Sequence, residues 1–190
     1  MEHFQVQPFA YTSAYAKVLA FFFSYPTSEV TLNQLVAKTK ISKSSAQKII
    51  KQLLTEEFLL QKIIGRSWLI SCNQQHPYNF SRKVAYFFGL LLDAGLINSI
   101  RRAYPTAKAI ILFGSYRKGD AVEKSDIDVA VELGVETKFQ IIDFGIFKQL
   151  GYLKWVPLKL HLFSRKHIAS TLFANIANGV VLDGFLEVRL

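Results

Sequence analysis

The sequence predicts an α/β chain of the mixed α+β kind, built in two parts, and three observations carry that expectation. Helical apolar periods with good caps fill the first part, two short β-like runs close it, and from residue 109 apolar strands alternate with helical segments. At 190 residues there is room for one large domain or two small ones, and a 51% hydrophobic content with sixteen phenylalanines is ample for real cores.

The elements follow in order. Residues 1–12 show no period and read as a loose arm. From Ser13 a helical pattern sets Tyr15, Val18, Leu19 and Phe22 on one face and stops near Ser24-Tyr25-Pro26, where proline cannot continue a helix. Thr31 with Gln34 three residues on is a capping box, opening a helix with Leu32, Leu35 and Val36 apolar. After a break at Lys40-Ile41, Ser42 is a good N-cap for a third helix through Leu54, whose inner face is Ala46, Ile49, Ile50 and Leu53. Phe58 to Ile64 and Ser67 to Ser71 read as a hairpin joined at Gly65-Arg66, and Asn73 to Pro77, polar and containing proline, as a linker in which His76 is a loop residue.

Asn79 to about Ala103 is expected as one long helix, apolar nearly all round over Val84 to Leu92 and closed by Arg101, Arg102 and Tyr104-Pro105. A helix apolar on every side must be covered on every side, so this one is expected to carry an interdomain or homodimer interface. Then come strand Ala109 to Phe113, loop 114–125 and strand 126–133. Lys138 to Leu150 is expected as a helix ending at Gly151, and Leu158 to Phe163 as a third strand. Arg165 to Ala177 is expected as a helix capped by Ser164, and Val180 to Leu182 as a short edge strand. The domain boundaries drawn from this are 11–74 and 79–190, the second with the long helix 79–103 leading it.

The chemistry concentrates in residues 109–132. Asp126 and Asp128 point to one face because side chains on a strand alternate, so their carboxylates are placed to share a hard cation while Ile127, Val129 and Val131 face a core. Gly114-Ser115 ends the preceding strand, where a residue without Cβ lets backbone amides approach an anion such as a phosphate. An anion cradle beside a divalent-metal site is the minimum equipment for holding a nucleoside triphosphate with Mg²⁺ or Mn²⁺. Arg117 and Lys118 lie close enough to the cradle to neutralise triphosphate charge, a solvated basic loop being the equal alternative. Ser125 is placed to orient Asp126 by a hydrogen bond.

Net charge and cysteine usage bound the partners. A formal charge of +9 makes a polyanion, nucleic acid or nucleotide, the natural partner. The one cysteine, Cys72, excludes a disulfide framework and fits a reducing cytoplasm. The start, MEHFQVQ, has no basic n-region, and the longest apolar run, Val84 to Leu92, is far short of the roughly 20 residues a bilayer helix needs. A soluble cytoplasmic protein with no membrane partner is the expectation.

Gly-Ser, ten residues, then Asp-x-Asp between apolar neighbours resembles the signature of the nucleotidyltransferase superfamily that includes DNA polymerase β, most of all its minimal nucleotidyltransferase branch. The resemblance implies that Asp126 and Asp128 are catalytic and hold the metal. It implies further that Gly114 and Ser115 bind the β and γ phosphates, and that a nucleoside monophosphate passes from NTP to a hydroxyl acceptor. Residues 11–74, three helices then a hairpin, resemble a winged helix-turn-helix domain. That implies a third helix in the major groove of double-stranded DNA, with Lys43, Ser44, Gln47, Lys48 and Lys51 reaching base edges and the wing residue Arg66 touching phosphate or minor groove. The alternative for the same lysines is a solvated helix face on a domain used for dimerisation or protein contact.

One feature departs from the family pattern. Active members place a third acidic residue on the strand after the aspartate pair, and here that strand reads PLKLHLF, with Lys159 or His161 nearest the position. An ammonium near two carboxylates competes with a cation for the same charge, whereas a neutral imidazole accepts a proton or a transition metal. Glu132 lies about 13 Å along the strand from Asp128 at roughly 3.3 Å per residue, and Asp143 is expected on the following helix. Two functional readings result: a DNA-binding protein with metal-dependent nucleotidyl transfer, or a regulator or antitoxin-like protein whose degenerate transferase domain binds nucleotide or mediates dimerisation. A protein partner enters by resemblance alone.

Overall fold

Caps set the first three helices. In the computed structural model, which describes residues 2–5, 13–65 and 67–188, helix α1 (Ala14–Ser24) begins at Ser13, whose Oγ accepts the Ala16 amide. Helix α2 (Leu32–Thr39) begins with both halves of the Thr31/Gln34 capping box formed, and α3 (Lys43–Thr55) begins at Ser42, whose Oγ accepts the Ser45 amide. Lys40 ends α2 in the left-handed conformation, which turns the chain sharply into α3. Ala46, Ile49, Ile50 and Leu53 are buried, as the 3.6-residue period requires. Strands β2 (Leu59–Ile64) and β3 (Ser67–Cys72) then pair as an antiparallel hairpin, and Ile70 bridges back to Val30 between α1 and α2. Arg66 lies outside the described residues.

The remaining strands build one mixed sheet. They are β1 (Glu2–Gln5), β4 (Ala107–Phe113), β5 (Ile127–Leu133), β6 (Gln140–Leu150), β7 (Leu153–Phe163) and β8 (Val180–Gly184), in spatial order β1-β6-β7-β5-β4-β8. β1 runs parallel to β6 and β5 parallel to β7; the other pairs are antiparallel. Strand alternation divides the sheet into two cores. Ile110, Leu112, Ile127, Val129, Val131, Leu158, Leu160 and Leu162 join the large core shared with the N-terminal helices, while Ala109, Ile111, Phe113, Ala130 and Phe163 form a smaller one under helix α8 (Ser170–Ala177).

Several expectations are corrected. Residues 2–5 are not a loose arm: Phe4 is buried and stacks on Phe147 with ring centroids 4.6 Å apart, while residues 1 and 6–12 lie outside the described residues. The long helix is broken into α4 (Pro77–Phe80), α5 (Arg82–Asp93) and α6 (Leu96–Ala103), with a bend of 53° before α6 where Gly95 takes φ 72. The bend lets Leu96 and Ile100 turn into the core, while Leu92 of α5 stays exposed. α5 buries Tyr86 and Phe87, which meet Phe23 of α1 at 6.0 Å and Tyr116 at 5.0 Å. No single helix among the described residues is long and apolar enough to cross a membrane.

Lys138 to Leu150 is not helical: residues 140–150 are β6. The apolar spacing of Phe139, Ile142, Phe147 and Leu150 suits a helix, but Ile141, Ile142, Phe144, Ile146 and Phe147 favour strand, and pairing along nearly all of β7 decides it. Gly151, at φ 60, opens a two-residue hairpin loop rather than ending a helix. Arg165 to Ala177 is likewise split, into a 3₁₀ turn at Arg165–His167 and α8, because Ser164 does not cap it; Ser164 Oγ bonds the Thr137 backbone instead. Residues 114–125 contain a short helix, α7 (Gly114–Lys118).

Three contacts tie the segment after α7 to the rest. Gly119, at φ 89, packs against the Asn79 carbonyl; the buried Lys83 Nζ donates to Ala121 O at 2.5 Å; and Glu123 accepts from the Thr27 amide at 3.0 Å and from Thr27 Oγ1 at 2.8 Å. A Cβ at Gly119 would collide with the Asn79 carbonyl, whereas at Gly65, φ 59, it would meet open space. Gly119→Ala is therefore expected to destabilise by more than the roughly 1–2 kcal/mol that left-handed strain alone costs, and Gly65→Ala by about that strain. Urea unfolding of the two variants checks the difference.

Candidate active site

The site forms where β4 ends and β5 begins. Gly114 takes φ 71, and a Cβ there would stand 2.6 Å from Asp128 Oδ2, so only glycine lets the chain pass over this carboxylate into α7. Ser115 follows, half-buried, while Arg117 and Lys118 are exposed in the last turn of α7. Asp126 immediately precedes β5 and Asp128 lies on it, paired in register with Phe113 of β4. Gly114, Ser115, Asp126 and Asp128 are thus brought together as the spacing requires.

The parallel register between β5 and β7 settles which residues face the aspartates. Asp128 pairs with Lys159 and Ala130 with His161, putting both side chains on the aspartate face. Lys159 Nζ lies 2.5 Å from Asp126 Oδ2, and His161 Nε2 lies 2.8 Å from Asp128 Oδ1. Lys159 and His161 therefore both take up the third-acid region, one on each aspartate. The ammonium of Lys159 holds the Asp126 carboxyl below its ordinary range, and Asp126 in turn raises Lys159. Asp143 is on β6 rather than on a helix, because its segment pairs with β7, and it stands exposed across from Lys159. Asp128, Lys159 and Asp143 consequently make a row across three strands.

His161 is nearly buried, edge-on to Phe113 at 4.8 Å, and its Nδ1 has no hydrogen-bond partner among the described residues. Donation from Nε2–H to Asp128 leaves Nδ1 as a bare lone pair. That costs less than a buried N–H without an acceptor, so the Nε2–H tautomer is the one this pocket favours. Ser125 does not orient Asp126: its Oγ accepts the Val122 amide at 2.9 Å, which shapes the turn instead. Tyr116 was not singled out by the sequence. Its side chain is buried against Phe87 with the hydroxyl unpartnered among the described residues, and burial pushes that hydroxyl's pKa well up. Glu132 is occupied elsewhere, with Arg165 Nε 2.9 Å from its Oε1.

As arranged, this donor set does not fit a divalent ion. Mg²⁺ is held by carboxylate oxygens, and here one oxygen of each aspartate is taken, Asp126 Oδ2 by Lys159 and Asp128 Oδ1 by His161, while the ammonium competes with a second cation for the same charge. Among the described residues no group of three or more His, Cys, Asp or Glu is placed to hold a metal. The other residues singled out from the sequence lie on α3, which packs on α1, α2 and β2: Lys43, Ser44, Gln47, Lys48 and Lys51 lie off its buried face.

Residues 94–177 match the family model of the nucleotidyltransferase domain. The match runs from the bend before α6 through the cradle, the aspartate pair and the β6–β7 hairpin to the end of α8, and it supports nucleotidyl transfer in general as the chemistry of this part. No curated protein matches the chain.

The Asp126–Lys159 pair makes a pH prediction. Because the folded pKa of Asp126 is depressed below 3.8, its contribution to stability is present above that value and is lost as pH falls through the lower folded value. Lys159→Met is expected to return the Asp126 carboxyl toward its ordinary range, so that wild type and variant differ at neutral pH and converge in strong acid. Carboxyl ¹³C NMR titration, run with unfolding curves, reads both.

Proposed function

We propose that the C-terminal part binds a nucleoside triphosphate, with its phosphates over Gly114 and Ser115, and that the N-terminal part is a winged helix-turn-helix unit reading double-stranded DNA. The protein would then be a nucleotide-responsive DNA-binding regulator. One observation carries this reading over metal-dependent transfer: both aspartates of the pair are held by side chains of the neighbouring strand, the Lys159 ammonium on Asp126 and the His161 imidazole on Asp128. The Lys159 ammonium offsets charge that would repel a triphosphate, and Arg117 and Lys118, exposed on α7, add positive charge nearby. A nucleotide is thereby accommodated without recruiting a cation to the carboxylates.

For the N-terminal unit, the support is the order of its elements and the surface of α3. A helix, a short bridging stretch at Val30, two helices and a hairpin paired back to that stretch are the parts of a winged helix. The outer face of α3 presents three lysines with Ser44 and Gln47, a set suited to phosphates and base edges.

Transfer itself is the second reading, favoured by the family match and by the retained contact geometry of Gly114 and Asp128. It requires an acceptor hydroxyl to attack the α-phosphorus and pyrophosphate to leave, with Lys159 withdrawn from Asp126.

Labelled NTP separates the readings. Equilibrium dialysis is expected to show binding, with no label passed to protein, nucleic acid or small hydroxyl acceptors; label transferred by wild type but not by Asp126→Ala/Asp128→Ala would replace the first reading with the second. DNA affinity, measured by gel shift, is expected to fall steeply with salt. Replacing Lys43, Lys48 and Lys51 with Ala should reduce the log–log slope by about 3, near one unit for each phosphate no longer neutralised. Absence of salt dependence would refute the DNA-binding assignment.

A further inference from the structure

The β6–β7 hairpin reaches past the aspartate pair and carries a residue that folding does not account for. Trp155 has φ 58 and is 62% exposed. A left-handed step is useful at this point, because it seats both Leu153 and Val156 in the core with two outward residues between them. Glycine or asparagine makes that step at little steric cost, whereas a bulky residue there is strained. An indole held outside the core gains little packing in return. Strain retained at an exposed aromatic points to a use for the side chain.

Its position says which use. β7 leads from Trp155 through Lys159 to His161, the two residues on the aspartates. Leu158 is level with Ile127, so Trp155 stands three residues, roughly 10 Å, beyond that level, and Gly114 lies two strand spacings, roughly 10 Å, across the sheet. This is the span of an extended nucleotide from its phosphates to its base. The hairpin register, which pairs Phe147 with Val156 and Gln149 with Lys154, puts Lys148 level with Trp155, and both Lys148 and Lys154 are exposed. An exposed indole with two exposed lysines at neighbouring positions of the hairpin is the chemistry that stacks a base and meets its phosphate.

We propose that Trp155 is the stacking platform for a nucleobase at this site. The assignment rests on the nucleotide-binding reading above when the base belongs to the bound triphosphate, and is independent of it when the base belongs to a strand.

The protein has two tryptophans, so the full chain carrying Trp68→Phe leaves Trp155 as the sole indole fluorophore. Its emission is expected to be quenched on titration with ATP, GTP, CTP or UTP and unchanged by tripolyphosphate, which lacks a base. Trp155→Gly is expected to weaken nucleotide binding at least tenfold while leaving the thermal midpoint at or above that of wild type, since strain is relieved and little packing is removed; Trp155→Phe should recover most of the affinity. Single-stranded oligonucleotides form a second arm: quenching by them alone assigns the base to a strand and removes the nucleotide-binding reading while keeping the platform. Nucleotide bound in dialysis with no quenching and no weakening in Trp155→Gly overturns the platform and leaves that reading intact. Quenching by neither ligand, with no nucleotide bound, overturns both. A midpoint lowered by several degrees in Trp155→Gly overturns the proposal by making Trp155 a structural residue.

Discussion

Parallel pairing of β5 with β7 in one register is the constraint on which the site depends. Side chains alternate along a strand, so a slip of one residue would send Lys159 and His161 into the core and bring leucines to the aspartates. What fixes the register is the opposite face: Leu158, Leu160 and Leu162 are buried level with Ile127, Val129 and Val131. Each buried leucine contributes about 1.5–3 kcal/mol, while partly exposed ion pairs contribute little. Apolar burial therefore chooses the register, and Lys159 and His161 arrive on the aspartates as its consequence.

That order of causes bears on what the site can do. Two carboxylates on one strand face repel each other, and a site that relies on an added ion to offset them is under strain without it. Here the fold supplies a counter-charge, Lys159, and a hydrogen-bond donor, His161, from within β7. The same feature withholds one oxygen of each aspartate from a divalent ion, since Asp126 Oδ2 is committed to Lys159 and Asp128 Oδ1 to His161. Gly114 adds a second commitment: its approach to Asp128 leaves no room for a Cβ, so the cradle and the carboxylate are built as one contact.

Elements whose cause is local were legible in the sequence. The Ser13, Thr31 and Ser42 caps act within three residues, and the alternation of Asp126 and Asp128 with Ile127 and Val129 needs only a strand. Elements decided at a distance were not. Residues 140–150 carry an apolar spacing that suits a helix, and only pairing with β7 makes them a strand and places Asp143 beside Lys159. The choice between Lys159 and His161 was open because it is a statement of register, which no spacing within β7 contains. The break at Gly95 was obscured by the apolar run before it, although a glycine past an aspartate is the signal that ends such a helix.

The segment between α7 and Asp126 joins the site to the N-terminal helices. Its three fixings differ in kind: a backbone contact at Gly119 with Asn79, a buried ammonium at Ala121, and a carboxylate at Glu123 capping the turn after α1. Lys83 is the most demanding of them. Burial lowers its pKa, and with Ala121 O as its hydrogen-bond acceptor, displacement of that carbonyl would leave the ammonium without its acceptor away from water. A shift of residues 119–123 would have to carry α5 and the Thr27 turn with it or break these contacts. Since α5 and α1 pack through Tyr86 and Phe23, such a movement reaches the helices on which α3 is seated.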